Sequence, residues 1–107
     1  MASDELRESW KRTEGFLLDA RAHFSEAAGG LCADELHEFN TYLEHNELEL
    51  ALDMLDAAFD KSGIEPWRVL ELMAMAAASM RLRERQQRYD DRLSMERGWK
   101  YQTILPG

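Results

Sequence analysis

A single cysteine, Cys32, among 107 residues rules out an intramolecular disulfide, and no CxxC or Cys/His spacing is present to hold a structural zinc. A reducing compartment, the cytoplasm, is the expected location. Prolines number two and glycines six. The rest is rich in Ala, Leu, Glu, Arg and Met, which lose little on entering a helix. An all-α fold is predicted. The most apolar run, Val69 to Met80, is too short to span a bilayer, and the opening Met1-Ala2-Ser3-Asp4-Glu5 lacks the basic and apolar segments of an export signal. No membrane association is expected. No HExxH, Gly-rich phosphate loop or GxSxG elbow occurs, and His23, His37 and His45 have no catalytic neighbours in sequence. A histidine beside a glutamate, as in His37-Glu38 or Glu44-His45, is more often surface than acid–base machinery. The reading is a non-enzyme with no cofactor.

What is present is charge, unevenly placed. The net charge is −8, but residues 1–65 hold 16 acids against 5 bases and residues 66–107 hold 5 against 8, which is −11 and +3. Nine acids and no Lys or Arg lie between Asp34 and Asp60. Such a field repels nucleic acid and attracts basic protein surfaces, although an acidic face also serves solubility alone. The site residues nominated for a basic partner are Glu35, Glu38, Glu44, Glu47, Glu49, Asp53, Asp56 and Asp60. A metal site on Glu49 and Asp53 is disfavoured, because bundle metal sites recruit facing helices, often through an ExxH pair that is missing here.

The periodicity predicts a first helix from Asp4 to Ala28, capped by Ser3 and stopped by Gly29-Gly30. Its inner stripe is Leu6, Trp10, Thr13, Leu17, Ala20, Phe24 and Ala27. A second helix runs from Ala33 to Glu44 with Leu36, Phe39 and Leu43 inward. Asn46 and Glu49 resemble a capping box for a third helix ending near Ser62-Gly63. That helix has one apolar face of Leu48, Ala51, Leu52, Leu55, Ala58 and Phe59 and a second strip of Leu50, Met54 and Ala57. It is therefore central, or lends the second strip to a partner. Pro66 suits the first turn of a fourth helix, in which Met75 falls on the polar side. From Arg81 a charged helix follows, with a narrow stripe of Leu82, Gln86, Tyr89 and Leu93. It reads as exposed and self-paired, for example Glu84 with Arg88, rather than as an RNA-binding arm. Gly98 ends it, and the apolar tail through Trp99, Tyr101, Ile104 and Leu105 is expected to fold back. The whole is one domain, residues 1–107, built as a bundle of four to five antiparallel helices.

The segment Tyr42-Leu43-Glu44-His45-Asn46-Glu47 followed by Leu50-Ala51-Leu52-Asp53 resembles the middle of small helical immunity proteins from bacterial polymorphic toxin systems, including contact-dependent growth inhibition and MafI-type proteins. The resemblance spans about residues 33–80. It implies binding and neutralisation of a cognate toxin domain, and it supplies no catalytic residues. The acidic field points to a toxin with a basic cleft, such as a nuclease. A generic helical adaptor or regulatory subunit is the alternative, with a small metal-dependent enzyme third; a monomer is favoured.

Overall fold

In the computed structural model, which describes residues 3–63 and 67–105, the elements are α1 (Asp4–Arg21), α2 (Glu26–Leu31), α3 (Ala33–Glu44), α4 (Leu48–Ser62), α5 (Trp67–Ser79) and α6 (Arg83–Arg97). The fold is all-helical, with no strand among the described residues. Ser3 caps α1 as its position predicts, its hydroxyl accepting from the Leu6 N–H at 3.1 Å. The helix nevertheless stops at Arg21, not Ala28. Ser25 is a second N-cap, accepting from the Ala28 N–H at 3.1 Å, and it starts α2 on a new axis. A stripe of apolar residues does not register this break, because Phe24 stays partly buried after the turn, its ring 4.2 Å from that of Phe59. Gly29 and Gly30 lie inside α2 and stop nothing. Of the expected stripe, Thr13, Leu17 and Ala20 are buried, whereas Leu6 is 43% exposed; the side chain of Ala27, like Pro66, lies outside the described residues.

Two helix ends share one device. After α3 the Glu47 N–H reaches the Tyr42 carbonyl at 2.8 Å and the Asn46 N–H that of Leu43 at 3.1 Å, with Asn46 left-handed at φ 56°. This is a Schellman motif. Asn46 thus ends α3 rather than capping α4, whose N-cap is Glu47. After α5 the same pair recurs, Leu82 to Ala77 at 2.9 Å and Arg81 to Ala78 at 3.0 Å, with Arg81 at φ 61°. Gly63 and Gly98 end α4 and α6 in the same left-handed region, at φ 70° and 79°.

The helices pack in a slab of 40 × 34 × 19 Å. α5 lies between α1 and α6, and α3 lies against α4, which also touches α1 and α5. Every residue from Val69 to Ala77 except Glu71 is buried. Met75, expected on the polar side of its helix, is instead part of the core. Ala74, Ala76 and Ala77 let the neighbours approach closely. Leu52, Leu55, Phe59, Leu70 and Ala74 are all in the core, each larger side chain contributing about 1.5–3 kcal/mol by burial. On α1, Thr13 is buried beside Ser79, their hydroxyls 2.7 Å apart, which ties the outer helix to α5.

The tail does fold back, along α6. The Tyr101 N–H donates to the Ser94 hydroxyl at 2.7 Å, and the Thr103 N–H and hydroxyl both donate to the buried Asp90 carboxylate, the former at 3.0 Å. Tyr101 and Leu105 pack on the core, while Trp99 and Ile104 face outward.

Candidate protein-binding surfaces

The eight nominated acids divide into two groups. On α4, Asp53 and Asp56 point at α6, where Arg85 forms ion pairs with both. The Tyr89 hydroxyl donates to the Asp56 carboxylate at 2.8 Å, and the Arg85 Nε–H donates to the Tyr89 oxygen at 3.3 Å. Burial by itself would lower the Arg85 pKa; the Asp56 hydrogen bond and the charges around it outweigh that and hold the guanidinium above its ordinary value. Burial and the Asp56 charge push the Tyr89 phenol up. The arginine side chain is only 12% exposed. These carboxylates are therefore engaged within the chain. Glu35 is likewise paired, with the Lys61 ammonium at 3.0 Å, a hydrogen bond that holds its carboxyl below the ordinary 4.5.

The second group is exposed and forms no ion pair with a described residue: Glu38 on α3, Glu44 and Glu47 at the α3–α4 turn, Glu49 on the first turn of α4, and Asp60 near its end. Four of these five belong to α3, the turn and the start of α4. The turn gathers Glu44, Glu47 and Glu49 because the Schellman motif reverses the chain within three residues.

α6 is less self-contained than its charge pattern predicts. Its own i,i+4 side-chain contacts include Arg85–Tyr89, Gln86–Asp90, Gln87–Asp91 and Arg92–Glu96, but not Glu84–Arg88. Arg97 turns inward to pair with Glu71, its guanidinium carbon 5.0 Å above both the Trp67 and Tyr101 rings. Sequence reasoning missed this cluster and the Arg85 bridge. The signal for Arg85 was present: Leu82, Arg85 and Tyr89 recur at steps of three and four, on the inner stripe itself.

Among the described residues two open clefts stand out. One, of about 490 Å³, lies between the start of α1 and the end of α5, with Leu6 and Trp10 as its apolar wall and Thr13 and Ser79 at its base. The Thr13 hydroxyl donates to the Ser9 carbonyl at 2.9 Å, and no histidine lines the cleft. The other, of about 470 Å³, surrounds the start of α6. His23, His37 and His45 are all exposed, His23 with Nδ1 2.8 Å from the Asp19 carbonyl. Among the described residues no group of three or more His, Cys, Asp or Glu side chains is placed to share a metal ion, and no helix is long and apolar enough to cross a membrane. Comparison with protein-family models, with curated proteins and with solved structures finds no match to this chain.

Proposed function

We propose that this chain is an immunity protein, which binds a cognate bacterial toxin domain through the acidic α3–α4 hairpin and neutralises it in the cytoplasm. The observation that carries the reading is the set of exposed, unpaired carboxylates Glu38, Glu44, Glu47 and Glu49 on that hairpin. The resemblance of residues 42–53 to immunity proteins supports the same conclusion. A basic cleft on the toxin, as in a nuclease, is the complementary surface, and the carboxylates occupy it in place of the substrate's phosphates. Asp53 and Asp56 contribute by fixing α6 rather than by meeting the toxin. Glu35 does the same for the α3–α4 pair.

The experiment is co-expression with the product of the adjacent reading frame, followed by copurification and protection of cells from it. E44K/E47K/E49K should remain folded, since all three side chains are exposed, and should lose protection. Retained binding and protection in that variant would sink the hairpin as the contact surface.

A further inference from the structure

Arg81, Arg83 and Arg88 line the cleft at the start of α6, are exposed, and have no ion-pair partner among the described residues. Glu49 and Glu84 line the same cleft without pairing to them. In a chain with 21 acids and 13 bases, three unpaired cations around one concavity are not accounted for by charge balance. Arg85 also lines the cleft, but Asp53 and Asp56 already engage it, so it adds no free charge. The N-terminal turn of α6 opens nearby, and its N-cap Leu82 provides no side-chain hydrogen bond to the first N–H groups.

A volume of about 470 Å³ lies within the range of small-ligand sites. Guanidinium groups match the paired oxygens of phosphate and carboxylate groups through two parallel N–H donors. A long polyanion is disfavoured by the net charge of −8, whereas a compact anion meets only the local field. We propose that this cleft binds a compact oxyanion with more than one charged group, held by Arg81, Arg83 and Arg88. Its source is a small molecule that carries two or more phosphate or carboxylate groups. The site does not depend on the acidic hairpin being a toxin contact.

The test is an NMR titration of the purified chain with pyrophosphate and, separately, with citrate, against sodium chloride at matched ionic strength. The expected result is saturable shifts confined to the amides around Arg81 to Arg85, with affinity lowered roughly tenfold or more in R81Q/R83Q/R88Q and unchanged in R7Q/R12Q. Single R83Q and R88Q variants, each at an exposed position, repeat the measurement with less disturbance of the fold. Stronger binding of pyrophosphate would identify the phosphate class, and stronger binding of citrate the carboxylate class; either supports the site. Linear, unsaturated shifts with both anions, or equal affinity in the triple variant, would overturn it.

Discussion

The most unusual single residue is Arg81, which holds a left-handed backbone that Gly63 and Gly98 adopt elsewhere in the chain without a Cβ. For an L side chain that conformation costs roughly 1 kcal/mol. Arg81→Gly should therefore raise stability by about 0.5–1 kcal/mol in urea unfolding, and Gly63→Ala should lower it by about 1 kcal/mol. A stabilising Arg81→Gly that also weakens pyrophosphate binding would show that the arginine is retained for its side chain. Glu35 offers a pH readout. Its folded pKa is lowered, so its stabilising contribution is intact above the ordinary carboxyl value and is lost as the pH falls through the lowered folded value. Lys61→Met should flatten that acid limb of the stability profile; an unchanged limb would mean that the Glu35–Lys61 pair does not couple to folding.

At the scale of elements, α6 is fastened rather than merely packed. Tyr89 and Leu93 bury its apolar edge, Arg85 reaches across to α4, Arg97 to α5, and Asp90 holds the tail. Because Asp53 and Asp56 keep 42% and 34% of their side-chain surface, loss of Arg85 leaves them partly hydrated. Arg85→Met should cost about 1–3 kcal/mol, between an exposed pair and a buried one. Hydrogen exchange should then quicken in α6 while α3 keeps its protection. Thr103→Val removes the hydroxyl donor to the buried Asp90 and should cost about 1–3 kcal/mol by the same measure, with the tail amides losing protection first. Uniform acceleration over all helices would show that α6 and the tail do not open as a separate unit.

For the whole molecule, the division of charge along the chain becomes a division in space. Within the acidic half, α6 neutralises Asp53 and Asp56 and Lys61 neutralises Glu35, whereas Glu38, Glu44, Glu47 and Glu49 stand exposed without an ion pair on α3, the turn and the start of α4. Added salt screens both self-repulsion and attraction to a basic partner, over a length of about 8 Å at physiological ionic strength. Salt should therefore stabilise the free protein while slowing association with the proposed toxin partner, since electrostatic steering raises on-rates by roughly 10- to 1,000-fold. Stopped-flow association that is flat with salt would argue against electrostatic docking.

How much of this was legible can be judged helix by helix. The bounds of α3 and the ends of α4 and α6 follow from local chemistry: a run of three- and four-residue spacings, then Asn46, Gly63 or Gly98 where the backbone turns left-handed. The core of α4 and α5 follows from the width of their apolar arcs. The break after Arg21 was less visible, because Ser25 acts as a cap only once the chain has turned toward Phe59. Of the nominated acids, the sequence marked out the exposed ones and the paired ones alike, since spacing on a helix says which residues share a stripe but not which helix that stripe faces. Helix content, charge asymmetry and the identity of the central helices were determined by the sequence itself, through interactions among residues a few positions apart. The Arg85 bridge to Asp53 and Asp56, the seat of Arg97 on Trp67 and Glu71, and the approach of Glu49 to the cleft around Arg81 were decided only by tertiary structure, because these partners come from helices tens of residues away.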